Sequence, residues 1–285
     1  MPRRAPGSER RVRVGWAPVI LVALKLVLTP LLIGGASLGA RRWGPVIGGW
    51  MVSLPLTSGP VALFLALDRG PSFAATAAEA SVAGNVAIVA FCLAYAGVAT
   101  RKGWPAAIAA AGIGWLAAAL ALQPALALPV GLLFLLVAFI LVVALRVMPA
   151  GAAEPSGATA PGWDLPLRVV VGTGVVLALT AAAPTLGSST SGLLAMLPVI
   201  ATVLVTFTHR HEGAEPAIGL LRGILTGLFG TAAFLAVVSA SIQRLGVTVA
   251  FAAALATVVV VQLVALSVLR RVSGEAARRS VPRPA

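Results

Sequence analysis

The chain has 285 residues, of which 59% are hydrophobic and only 10% charged, and its formal net charge is +13. A soluble domain carries about 25% charged residues, so a soluble globular fold is excluded. Apolar runs of about 18 residues or more recur without the alternation of a barrel strand, so the sequence predicts an all-α, polytopic bundle of membrane helices.

The N-terminal tail, residues 1–15, holds Arg3, Arg4, Arg10, Arg11 and Arg13. The C-terminal tail, residues 270–285, holds Arg270, Arg271, Arg278, Arg279 and Arg283. Most other basic residues fall in short breaks between apolar runs, the pattern of topology determinants and anionic-lipid contacts and not of a nucleic-acid binder. Between the tails we expect nine transmembrane spans, at 16–38, 45–67, 73–99, 105–122, 128–147, 167–186, 192–208, 217–241 and 247–269. The first span has a rival reading as a signal peptide, but its apolar stretch exceeds the usual core of about 7–15 residues. Residues 16–147 form a first membrane unit plus a fifth helix, 148–166 a solvated linker rich in Ala, Gly and Pro that carries Glu154 and Asp164, and 167–269 a second unit. Trp16, Trp43, Trp104 and Trp163 fall near span ends, where an amphipathic ring sits well. Cys92 is the one cysteine, which excludes an intrachain disulfide and reads as core filling.

The two units align without a gap at an offset of 143 residues. Gly44 falls on Gly187, Gly49 on Gly192, Pro55 on Pro198, Gly70 on Gly213, Gly84 on Gly227, Arg101 on Arg244 and Gly103 on Gly246. Glycine and proline mark backbone geometry, so these matches weigh more than matched Ala or Leu. Lys25 meets Arg168, which places the first span within the repeat. The fifth span has no partner, and an odd number of crossings before the second unit makes the repeat of four-helix units an inverted one. Nine spans set twelve basic residues on the side of the C-terminus against seven on the other, favouring a cytoplasmic C-terminus.

Several residues stand out as candidates. Glu79 and Arg222 are charges inside predicted spans at matched positions of the repeat, and charges at that depth face a partner or a wet cavity. The inverted repeat hangs them from opposite faces with about 10 Å of depth between them, a gap for a solute or water. Pro55, Leu56, Thr57, Ser58, Gly59 and Pro60 interrupt the second span, freeing backbone carbonyls as in the broken helices that line transporter sites, with Pro198 at the matching place. The predicted solute-binding set is therefore Glu79, Arg222, Thr57, Ser58, Pro55 and Pro198. Gly219, Gly223 and Gly227 form a ridge of small residues matched by Thr76, Ala80 and Gly84, expected to bring the third and eighth spans together. His209 and His211, flanking Arg210 near Glu212 and Glu215, read as a solvated charged loop in place of a metal site. No catalytic constellation, metal set or cofactor motif is visible, so no enzyme is expected.

The stretch from Gly192 to Pro198, the apolar run after it, His209 to Gly213 and the Gly-rich eighth span resemble the GlpM-like small four-helix bacterial membrane proteins, over about residues 167–269. The resemblance implies a duplicated GlpM-like inner-membrane protein and carries over no functional residue. The expected function is a permease for a small or lipid-linked solute or a proton, with a non-transporting scaffold for an envelope-biosynthesis complex as the alternative.

Overall fold

The computed structural model describes residues 16–56, 58–122, 128–152, 161–182 and 197–279. They form α1 (Trp16–Trp43), α2 (Pro45–Val52), α3 (Ser58–Arg69), α4 (Pro71–Ala99), α5 (Trp104–Ala121), α6 (Val130–Val147), α7 (Asp164–Ala182) and α8 (Val199–Glu212), with no strand among the described residues. A last helical stretch, Ala214–Arg279, breaks at Gly246, whose φ of 76° and ψ of 170° are not helical. We call its two parts α9 (214–245) and α10 (247–279). Four helical stretches, Pro71–Ala99, Trp104–Ala121, Val130–Val147 and Ala214–Ala265, are long and apolar enough to cross a membrane. The fourth has 52 residues, roughly 78 Å at 1.5 Å per residue and far beyond one hydrocarbon layer of about 30 Å. The bend at Gly246 is what lets it fold back.

Glycine and proline set the helix starts. Gly44, Gly70 and Gly213 adopt φ of 95°, 90° and 98°, a region that a side chain disfavours. Pro45 and Pro71 then open α2 and α4, where a missing N–H costs no helical bond. Several boundaries recur at the 143-residue offset. α3 ends at Arg69 and α8 at Glu212, α4 opens at Pro71 and α9 at Ala214, and Gly103 and Gly246 precede α5 and α10.

Contacts between helix ends fix the relative directions. The hydroxyl of Tyr95, late in α4, lies 2.9 Å from Nδ1 of His209, near the end of α8. The guanidinium of Arg222, early in α9, donates to carbonyls at the end of α6, and the Ala152 N–H donates to Glu215 O at 3.0 Å. The C-terminal ends of α4, α6 and α8 thus meet the N-terminal end of α9, and α4 and α9 run antiparallel. Arg41 at the end of α1 bonds Asp164 at the start of α7, which brings both to this same end.

Two expectations about packing are corrected. The ridge of Gly219, Gly223 and Gly227 lies against α2: a Cβ on Gly223 would sit 2.8 Å from the Val46 carbonyl carbon and 2.9 Å from Trp50 N. α4 packs on the Ala214–Arg279 stretch as well, with Thr76 exposed and Gly84 buried. The linker is not solvated throughout. Gly151 is seated on Gly219, and Asp164 is fully buried, because each has a partner far away in sequence.

Candidate functional site

The second predicted span is broken as expected. α2 stops at Val52, and α3 starts at Ser58. At the break, the Leu56 N–H donates to Leu54 O at 2.7 Å and the Gly59 N–H to Pro55 O at 2.9 Å. The same two bonds recur 143 residues later: the Val199 N–H donates to Leu197 O at 2.8 Å and the Thr202 N–H to Pro198 O at 2.9 Å. Pro198 has φ −78° and ψ 63°, the geometry of an inverse γ-turn. Each Leu-Pro pair makes a tight turn that helical hydrogen bonding cannot pass through, since proline brings no N–H. α3 and α8 grow out of these turns.

Polar side chains collect where α2 ends, beside the middle of α9. Ser53 Oγ donates to Ile224 O at 2.9 Å, and the Thr231 hydroxyl donates to Ser53 O. The indole N–H of Trp50 donates to Gln262 Oε1 at 2.6 Å, and the Gln262 amide donates to Gly227 O at 3.0 Å. Gln262, on α10, is 5% exposed. Without water nearby, an amide at this depth needs such partners. The Ser58 hydroxyl is buried and has no hydrogen-bond partner, which leaves it a donor and an acceptor for something that enters the break. Gln262, Trp50 and Thr231 lie outside the predicted set; their signal in the sequence is a lone amide in a long apolar run.

The predicted residues are not gathered in one place. Pro55 and Ser58 line the first break, with Pro55 buried, and Pro198 forms the matching turn. Thr57 lies outside the described residues. Glu79 and Arg222 are not brought together. Each lies eight residues into its helix, and with α4 and α9 antiparallel the two are roughly 20 Å apart along the bundle axis. No small solute touches both at once. Arg222 Nη1 donates to Met148 O at 3.0 Å and to Leu145 O at 3.3 Å, capping the open carbonyls at the end of α6. Glu79 is half-buried, with no hydrogen bond or ion pair among the described residues.

A charged cluster sits where α1, α7 and α8 meet. Asp164 Oδ2 accepts from Arg41 Nη2 at 2.7 Å and from Arg168 Nε at 2.9 Å. Arg168 is 3% exposed; it also donates to Thr208 Oγ1 at 3.1 Å, lies 3.7 Å from Glu212 Oε1 and stacks over the Phe207 ring. His211 Nε2 stands 3.5 Å from Asp164 Oδ1, which has no hydrogen-bond partner. The stretch read as a solvated loop is thus the half-buried last turn of α8, which Asp164, Tyr95 and the ring of Trp163 hold in place. Burial lowers the His209 pKa and raises that of Glu212, for which the positive charge of Arg168 is a smaller opposing influence. The signal for this cluster was Asp164 and Arg168 at i and i+4 where an apolar run begins. Among the described residues no three His, Cys, Asp or Glu side chains converge as a metal site.

No protein-family model, curated protein or solved structure matches the chain.

Proposed function

We propose that the protein is a permease of the bacterial inner membrane, built from two GlpM-like four-helix units of opposite orientation in a nine-span bundle. The observation that carries this reading is the repeated Leu-Pro turn at 54–56 and 197–199. Matched, proline-interrupted helices in two inverted halves are the arrangement in which secondary transporters hold a solute near the bilayer midplane. The antiparallel course of α4 and α9 supports the inversion, and the unpaired α6 between the units accounts for it. The solute sits at the breaks, where Ser58 and the turns at Pro55 and Pro198 meet it. Glu79, a charge in a predicted span with no counter-ion among the described residues, takes and releases the coupling proton. The cytoplasmic face is the one that carries Arg41, Arg42, Arg101, Lys102 and Arg210.

The test is proton flux in proteoliposomes. Purified protein is reconstituted with a trapped pH-sensitive dye, and gradients of amino acids, sugars and organic anions are applied in turn. We expect one class to drive proton entry, with the signal lost in Glu79→Gln and weakened in Ser58→Ala. A folded wild-type protein that moves neither protons nor labelled solute under any gradient would sink the permease reading and leave the scaffold.

A further inference from the structure

A chain that admits a solute from alternate sides must close one end while the other is open. The two ends of this bundle differ in that respect. At one, Arg41, Asp164, Arg168, His211 and Glu212 join the ends of α1, α7 and α8 through contacts of 2.7 to 3.7 Å. At the other, the 143-residue offset puts Lys25 in the place of Arg168, Asp68 in the place of His211 and Arg69 in the place of Glu212. Charges therefore stand at both ends, but Asp68 and Arg69 are exposed and pair with each other across 3.3 Å. The helices follow suit. α7 lies against α8, whereas α1 and α3, their counterparts, touch little among the described residues.

From this asymmetry we infer that the Arg41–Asp164–Arg168 network is an ionic gate, closed here, that bars the cytoplasmic end of the pathway to the break at Pro55. Asp68 and Arg69, exposed at the opposite end, mark the side that stands open here. The energetics suit a switch more than a permanent clasp. A buried ion pair repays little more than the desolvation of its charges, so assembled and dissolved states can lie close in free energy. Asp164 Oδ1, buried with no hydrogen-bond donor, leaves the closed state without its full set of bonds and easier to undo. Arg41, 37% exposed, gives the network an edge that water can enter first.

The inference rests on the permease reading, and its test needs no solute. In a Cys92→Ala background, Ser58→Cys supplies one thiol at the break. A membrane-impermeant sulfonated maleimide is applied to sealed vesicles of either orientation, and the labelling rate is read from each face. We expect slow labelling from the network face and faster labelling from the Asp68 face. Arg41→Gln and Asp164→Asn should each raise the network-face rate about fivefold or more, as expected if the closed state loses its bias. Should Asp164→Asn fail to fold, Arg41→Gln, altered at the exposed edge, carries the test alone. Unchanged network-face labelling in folded variants would overturn the gate, as would a thiol reached from neither face in any variant. Solute flux with unresponsive labelling removes the gate and keeps the permease; responsive labelling without flux does the reverse.

Discussion

Gly223→Ala is the sharpest test of how the break is held in place. The added methyl would lie 2.8 Å from the Val46 carbonyl carbon and 2.9 Å from Trp50 N, and closer still to Val46 O. All three are backbone atoms of α2, so no side chain can swing aside. Ordinary contact begins near 3.4 Å, and α2 must therefore retreat by roughly 1 Å along its whole length. It is held on its other face too, since a Cβ on Gly48 would meet Ala40 Cβ of α1. Overpacking of this kind costs about 3 kcal/mol, against a gain of about 1 kcal/mol for Ala over Gly in a helix. Gly97→Ala is the control, an exposed helical glycine whose Cβ would have nothing within 4 Å. At about 2 °C per kcal/mol, Gly223→Ala should melt at least about 4 °C below wild type, while Gly97→Ala melts at or above it. The measurement is the monodisperse fraction that survives heating in detergent. Equal melting of the two variants would refute the packing of α2 on the α9 ridge. It would also remove the basis for placing Ser53 and Trp50 beside Gly227.

Two further outcomes follow from the charged residues. Arg222→Gln deprives the Leu145 and Met148 carbonyls of a charged donor and should cost about 1.5–3 kcal/mol, seen as a lower melting temperature that Arg222→Lys partly restores; unchanged melting in Arg222→Gln would show that the cap does not matter. For Glu212, burial is the largest influence and places the folded pKa above the ordinary carboxylate value, so its ionisation works against the fold. Its contribution is fully present below the unfolded pKa and is lost as pH rises through the raised one. Glu212→Gln should therefore gain melting temperature relative to wild type at pH 8 and lose that gain near pH 4; a gain larger at pH 4 would reverse the sign and refute the argument.

The legible part of this fold is the part set by backbone chemistry. Gly70 and Gly213 permit the positive φ found there, and the Leu-Pro pairs at 54–55 and 197–198 favour a turn because proline cannot donate. Neighbour choice was not legible. In a chain whose helices are apolar all round, periodicity does not say which helix a glycine ridge will meet, and nothing in it turns Gly223 toward α2 and away from the third span. Asp164 was hidden differently. Its own segment has the composition of a linker, and what buries it is Arg41, 123 residues away, together with His211 on a third helix. Composition reports the solubility of a segment, and only tertiary contact reports whether a charge in it has been paired.

The unpaired helix also explains why two charges at matched positions have unlike surroundings. Glu79 and Arg222 occupy the same place in their units, eight residues after the starts of α4 and α9. A strictly symmetric bundle would give them equivalent neighbours. α6 has no counterpart at the 143-residue offset, and its C-terminal end comes down beside the start of α9, with Ala152 and Gly151 following it onto Glu215 and Gly219. A helix end presents carbonyls without donors, and in an apolar setting a guanidinium nearby is drawn to them. Arg222 is thereby fixed as a cap. A carboxylate at the matching place of α4 could not act as such a cap, because a carboxylate and a carbonyl are both acceptors. Arg222 is thus a structural charge, whereas the Glu79 carboxylate stays free of partners among the described residues and is the member of the pair to which the permease proposal assigns the proton.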